Sequence, residues 1–274
     1  MATELTMDAF DVVDTSWEVP TYDVHEFSPK KTRYCVCIPI INEGERIKNQ
    51  LAEMQCQGIS DMADILILDG GSKDGSTDHD LLKNLGVNTL LVKTGPGKLS
   101  AQLRMGYAYA LQRGYDGIVT IDGNGKDGFE AIPNFVRELE AGYDLVQGSR
   151  YVPGGKAINT PLSRSLAIKF IHAPISSLAS GFHYTDTTNG FRGYSRKFLL
   201  DARVQPFRDV FGTYELIAYL SIRAPRLGFK TTEIPVTRQY PSSGKIPTKI
   251  SHVSGNLLVF RILFKTAFGG FNPS

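Results

Sequence analysis

Three short segments of this chain gather acidic, amide and small residues of the kind that chemistry needs. They are Pro39-Ile40-Ile41-Asn42-Glu43-Gly44, Leu68-Asp69-Gly70-Gly71-Ser72-Lys73-Asp74-Gly75-Ser76 and Ile121-Asp122-Gly123-Asn124-Gly125-Lys126-Asp127. The first two segments lack the P-loop spacing. Asp and Gly also favour turns for backbone reasons alone, so one such segment carries little. Three of them, each following an apolar run, point to a site. Gly95-Pro96-Gly97-Lys98 opens a helical pattern; it either aims N–H groups and Lys98 at phosphate or is a plain helix start.

The elements around these segments alternate. Buried strands are expected at residues 34–41, 63–68, 89–92, 117–121 and 144–147, and helices at 45–55, 76–85, 100–113 and 132–141. This β-α-β-α order implies an α/β fold, a mostly parallel central sheet with helices on both faces. Ligands of such sheets bind beyond the carboxyl ends of the strands, where all three polar turns fall.

Composition excludes several classes. A net charge of +2 over 274 residues gives no case for nucleic-acid binding. Cys35, Cys37 and Cys56 make no disulfide framework, and with five scattered histidines they make no zinc site. The acidic N-terminus lacks a signal-peptide core, and no apolar run approaches the roughly 20 residues needed to span a bilayer. A cytoplasmic protein is expected, with peripheral contact at the inner face of a membrane open. Residues 1–30 carry seven acidic residues and no Lys or Arg before Lys30. They read as an acidic arm, loosely docked or covering a basic patch or a second subunit, with Trp17 and Tyr22 as anchors.

These residues carry a resemblance. The chain resembles family 2 glycosyltransferases of the GT-A fold, and most of all the dolichol-phosphate mannosyltransferase and polyprenyl-phosphate glycosyltransferase group. That group shows Pro-x-Tyr-Asn-Glu, Val-Asp-Asp-Gly-Ser-x-Asp-Gly-Thr, Asp-x-Asp, Gly-Ser-Arg-Tyr and Ser-Gly-Phe-Arg in order. Here they correspond to Pro39–Glu43, Leu68–Ser76, Asp122-Gly123-Asn124, Gly148-Ser149-Arg150-Tyr151 and Thr188-Asn189-Gly190-Phe191-Arg192. The match covers roughly residues 34–250, so residues 31–250 are expected to form the GT-A domain, with a C-terminal helix or tail at 251–274.

The resemblance implies a transferase that takes a sugar from a nucleotide-diphosphate sugar with inversion. It hands the sugar to a polyprenyl phosphate or another lipid-linked or glycan acceptor in cell-surface polysaccharide assembly. Donor binding falls to Pro39, Asn42, Glu43, Asp69, Gly71, Lys98, Asp122, Gly123, Lys126, Arg192, Arg238 and Lys245. Acceptor binding falls to Arg150, Arg164 and Ser165. Gly70 stands where the family has a second Asp. Asn124 replaces the second Asp of Asp-x-Asp, and Lys126 stands near another ligand position. Either Asp122 and Asn124 hold Mg²⁺ or Mn²⁺ on the diphosphate, or Lys126 and nearby arginines take the metal's place. A hydroxyl acceptor would need a base, Glu215 or Asp186. A phosphate acceptor would not, and the absence of the Glu-Asp pair common in hydroxyl-acceptor relatives favours phosphate.

The loop 241–247 is expected to close over the donor. His172, His183 and His252 have no clear chemical role. Residues 257–268 are apolar almost all round, so they pack on the domain, pair in a homodimer or lie in a membrane interface. The competing readings are a sugar nucleotidyltransferase and a non-catalytic nucleotide-sugar-binding protein.

Overall fold

The computed structural model describes residues 16–242 and 254–273, with the backbone alone at 254–256. Ten strands are β1 (Tyr22–Glu26), β2 (Tyr34–Ile40), β3 (Asp64–Asp69), β4 (Val87–Lys93), β5 (Gly117–Thr120), β6 (Leu145–Ser149), β7 (Lys156–Ile158), β8 (Arg192–Ser195), β9 (Thr231–Pro235) and β10 (Thr237–Gln239). The helices are α1 (Glu45–Cys56), α2 (Ile59–Met62), α3 (His79–Asn84), α4 (Leu99–Gln112), α5 (Ile132–Glu140), α6 (Leu162–Ala167), α7 (Ala173–Ser180), α8 (Arg196–Leu200), α9 (Glu215–Arg226) and α10 (Ser254–Ala267). A π-helical turn, Ile168–His172, joins α6 to α7 without a break.

Eight strands form one sheet in the order β1-β4-β3-β2-β5-β8-β6-β9. The β4-β3-β2-β5 stretch is parallel; β1 and β8 run against their neighbours. Every residue of β2 is buried, as a strand covered on both faces requires. Its side chains alternate between two cores. Cys35 and Cys37 join Leu103, Tyr107, Leu216 and Leu220 of α4 and α9, whereas Val36, Ile38 and Ile40 join Ile47, Leu51 and Phe135 of α1 and α5. Both cysteines are thus packing residues, and Cys56 is exposed and free. Helix α4 stops because Gly114 takes φ +72 and Tyr115 N–H donates to Ala110 O at 3.1 Å, the αL ending that glycine favours.

The elements expected between residues 34 and 147 are present, with shifted ends. Helix α3 starts at His79 rather than 76, since the Asp78 carboxylate caps it by accepting Leu81 N–H. Strand β8 was not expected: four residues, Arg-Gly-Tyr-Ser, carry no alternation to read. It inserts antiparallel between β5 and β6. At the other edge, β1 extends the sheet from within the acidic N-terminal segment, and the Trp17 ring lies 4.1 Å from that of Phe207. Helix α10 buries Ile262, Leu263 and Thr266, and Phe260 stacks on His172 at 5.2 Å. Of the three expectations for that segment, packing on the domain is the one observed.

Candidate active site

The carboxyl ends of β2, β3 and β5 lie side by side, with Ile40 level with Asp69 and Cys37 level with Thr120. The first two polar turns are tied together. Asn42 N–H donates to Ser72 Oγ at 2.8 Å, Lys73 N–H to Asn42 Oδ1 at 2.8 Å, and Gly44 N–H to Ser76 Oγ at 2.8 Å. Asn42 holds φ +50 to do so, a conformation asparagine tolerates better than most. Asp69 accepts Gly71 N–H at 2.8 Å and the Ser72 hydroxyl at 2.5 Å, so its carboxylate shapes the turn. Pro39 is buried in β2 and Glu43 pairs with Arg46 at 2.7 Å.

The third turn meets the second half of the chain. Strand β10 runs back along residues 126–128: Gln239 N–H donates to Lys126 O at 2.8 Å and Gly128 N–H to Thr237 O at 2.9 Å. That register brings Arg238 to the turn. Its guanidinium donates to Asp122 Oδ2 at 3.1 Å and, through the other terminal nitrogen, to Asp127 Oδ2. Asn124 donates to Asp122 Oδ2 at 3.2 Å. Two close approaches fix the carboxylate: a Cβ on Gly123 would lie 2.5 Å from Ile40 Cγ2, and one on Gly190 would lie 2.9 Å from Asp122 Oδ1. Burial works to raise the Asp122 pKa, but Arg238 and Lys126 outweigh it and hold the carboxyl below its ordinary value. Lys126 is itself lowered, by burial and by Arg238.

A second buried pair stands behind this turn. Arg150 donates to both oxygens of Asp186, at 2.6 and 3.0 Å, and to Thr188 Oγ1 at 2.9 Å. Glu233 fixes the acid's backbone, accepting the N–H groups of Thr185 and Asp186. The remaining terminal nitrogen of Arg150 is buried with no protein partner, as is Asn189 Nδ2. Asp186 is closed to solvent and both its oxygens are engaged, which speaks for positioning Arg150 and against a general base. Arg192 is likewise enclosed. Its donors go to Asn189 O, Ile217 O, Thr187 O and Ser221 Oγ, so it ties the 187–189 loop to α9 and offers nothing to a donor phosphate.

Tyr240 joins the two sides, and the sequence reading gave it no role. Its ring has Lys126 Nζ at 5.5 Å and the guanidinium carbons of Arg164 and Arg238 at 5.7 and 5.8 Å. Its hydroxyl accepts from Arg164 Nη1 at 2.7 Å. Next to Arg164, Ser165 Oγ lies 3.1 Å from Tyr151 OH. The available signal was spacing: Tyr240 stands two residues after Arg238 in an extended segment, so both point to one face. Asp127 was quoted in its motif but given no function either.

Glu215 accepts Thr213 N–H at 2.6 Å and the Thr213 hydroxyl, and Lys98 N–H donates to Gly212 O at 2.7 Å. Both residues belong to the junction of the α4 and α9 N-termini, and no contact joins them to Asp122 among the described residues. Lys245, His252 and most of the expected closing loop lie outside the described residues.

Among the described residues no group of three or more His, Cys, Asp or Glu side chains converges to hold an ion. Asp122 and Asp127 of the turn share the Arg238 guanidinium, and Asn124 turns its amide N–H₂ toward Asp122.

The 162–180 helical run has one further feature. Leu162, Leu166, Phe170, Pro174 and Leu178 recur at steps of four and all are exposed, Phe170 by 73% and Leu178 by 86%. Arg164 and Lys169 flank this apolar stripe. Among the described residues, no helix is long and apolar enough to cross a membrane.

Residues 35–201 match the family described as Glycosyl transferase family 2. The chain is 30% identical over 208 residues to an undecaprenyl-phosphate mannosyltransferase of Micrococcus luteus, covering 75% of this chain and 83% of that one. It is also 30% identical over 208 residues to a polyprenol monophosphomannose synthase of Mycolicibacterium smegmatis, covering 75% and 77%. Among solved structures it is similar in fold to glucosyl-3-phosphoglycerate synthase from Mycobacterium tuberculosis in complex with Mn²⁺, UDP and phosphoglyceric acid. There the TM-score is 0.58 at 16% identity, over 85% of this chain and 76% of that one.

Proposed function

The chain belongs to glycosyl transferase family 2, and from that premise we propose that it moves a sugar from a nucleoside-diphosphate donor to the phosphate of a polyprenyl phosphate. The observation that carries this reading is Tyr240, whose ring and hydroxyl gather Lys126 of the donor turn, Arg238 of β10 and Arg164 of α6, on the proposed acceptor side. Two phosphate-bearing substrates meeting end to end need cations on both sides of the reacting carbon.

In the proposed reaction an oxygen of the acceptor phosphate attacks the anomeric carbon. The bond from that carbon to the diphosphate oxygen breaks, and the nucleoside diphosphate leaves with the electron pair. A single displacement inverts the centre. The attacking oxygen is already deprotonated at neutral pH, so no strong base is needed. The internal engagement of Asp186 and Glu215 agrees with that. The two polyprenyl-phosphate-named relatives support the acceptor class.

The exposed stripe of the 162–180 run supports a peripheral membrane contact. Its apolar side chains enter the headgroup boundary while Arg164 and Lys169 meet lipid phosphates. That would deliver the acceptor's phosphate at the level of Arg164 and Ser165.

The test is to incubate the full chain with radiolabelled GDP-mannose, UDP-glucose or other nucleotide sugars and a short polyprenyl phosphate. Label should pass into an organic-extractable product that mild acid releases. Label released only as free sugar, or nucleotide formed from sugar phosphate and a nucleoside triphosphate, would overturn the reading.

A further inference from the structure

We infer that the counter-charge for the donor's diphosphate is built into this chain as Lys126 and Arg238, so that donor binding does not depend on a divalent metal. The inference rests on the nucleotide-sugar reading above and deepens it. The argument begins with charge. An Asp-x-Asp turn holding a dication has zero formal charge. Asp122, Asn124 and Lys126 also have zero formal charge, with no ion present. The two departures from the family pattern act in the same direction: one carboxylate is lost and one ammonium is gained, within three positions, and together they add the two positive charges a dication would bring.

Geometry carries it further. Asp122 Oδ2, the carboxylate oxygen that also faces Asn124, is engaged by the Arg238 guanidinium at 3.1 Å. Arg238 is anchored from its far side by Asp127, which is buried, and by the backbone pairing of Gln239 with Lys126. Lys126 is on the same cluster, its ammonium over the Tyr240 ring that also faces Arg238. A dication entering here would have to separate a buried ion pair and sit beside two fixed positive charges, both unfavourable in a partly desolvated site. A diphosphate entering meets the positive charge of Lys126 and of Arg238, whose terminal nitrogens are held in place by Asp122 and Asp127, and both charges attract it strongly in a partly desolvated site.

Calorimetric titration of the full chain with UDP, GDP, CDP and dTDP, each in excess EDTA and in excess Mn²⁺, tests this. At least one diphosphate should bind, with a Kd that changes by less than about threefold between the two conditions, a difference under about 1 kcal/mol. The free Mn²⁺ electron paramagnetic resonance signal, titrated with protein and that diphosphate, should fall no further than with the diphosphate alone. A variant carrying Asn124→Asp and Lys126→Met restores the two-carboxylate turn, and its binding should become Mn²⁺-dependent by about tenfold or more. Wild-type binding that tightens tenfold or more with Mn²⁺ overturns the inference while leaving the proposed function standing. No binding of any diphosphate in either condition overturns both.

Discussion

The Arg164 guanidinium donates to the Tyr240 hydroxyl at 2.7 Å, across 76 residues of sequence. That bond holds the α6 arginine beside a ring already faced by Arg238 and Lys126. Replacing Tyr240 by Phe keeps the ring and removes the acceptor, so Arg164 is released without a cavity being made. A hydrogen bond with a charged donor is worth about 1.5–3 kcal/mol; for this exposed arginine the low end applies, which corresponds to a rise of about tenfold in KM for the lipid phosphate, with kcat within about twofold. Steady-state kinetics with the acceptor varied at saturating donor checks the split. A fall in kcat alone would remove Tyr240 from acceptor binding.

The same phenol has a pH signature. Burial works to raise its pKa, but Arg238 and Arg164 outweigh burial and hold it below the ordinary tyrosine value of 10.0. Its folded pKa is therefore lower than its unfolded one, so in the window between them the unfolded chain binds more protons. Stability relative to Tyr240→Phe should rise with pH through that window, and be lost as pH falls through the folded pKa. Tyrosinate absorbance should show an early-titrating tyrosine in the wild type that Tyr240→Phe lacks. Identical titration curves would place the phenol outside the cationic cluster.

Asp186 offers a test that separates positioning from base catalysis. It and Arg150 have side chains that are 0% and 1% exposed. Asp186→Ala leaves a buried guanidinium unpaired, which costs about 3–5 kcal/mol, readable as a lowered urea midpoint. Replacing both residues together, Asp186→Leu with Arg150→Met, should recover part of that loss. A base would behave differently: activity would vanish in Asp186→Ala with stability nearly unchanged.

The sheet and the location of the site were legible because β2, β3 and β5 are buried apolar runs that each end in a polar turn. That pattern singles out Asp122 and its neighbours as the candidate site. Roles were harder to read. Arg192 lies inside a recognisable motif, yet it is spent on the carbonyls of residues 187, 189 and 217, and a motif does not say which way a guanidinium turns. Asp127 and Tyr240 acquire meaning only through the pairing of β10 with residues 126–128, a contact more than a hundred residues apart in sequence that no local periodicity announces. The i+4 stripe from Leu162 to Leu178 was legible in principle. It went unread because the π-helical turn and Pro174 break the usual helical signal.

That stripe predicts a membrane phenotype confined to binding. Phe170→Ser and Leu178→Ser change side chains that are 73% and 86% exposed, so stability should move by no more than about 0.5 kcal/mol each. Apolar burial of about 1.5–3 kcal/mol per side chain is lost, so the double variant should sediment with anionic vesicles at least about tenfold less well. Turnover of a short, water-soluble acceptor should stay at the wild-type level. Truncating α10 would be a poorer probe, because Ile262 and Leu263 are buried. Unchanged sedimentation of the double variant would rule the stripe out as the contact.

Gly70 departs from the family pattern for a steric reason that can be measured. A Cβ there would lie 2.9 Å from Gln102 Nε2 and 3.1 Å from its Cδ. Gln102 is not free to retreat, because its amide donates to Ile40 O at 2.9 Å and Leu68 O at 3.0 Å and so closes the ends of β2 and β3. Gly70→Asp, which restores the family's second acid, should therefore cost about 1–3 kcal/mol through displacement of that amide and loss of its two bonds. In a Gln102→Ala background the space is already open and both bonds are already gone, so the same substitution should cost at least about 1 kcal/mol less. Urea denaturation of the four proteins gives this coupling directly. Additive losses would mean that Gln102 is not what keeps residue 70 a glycine.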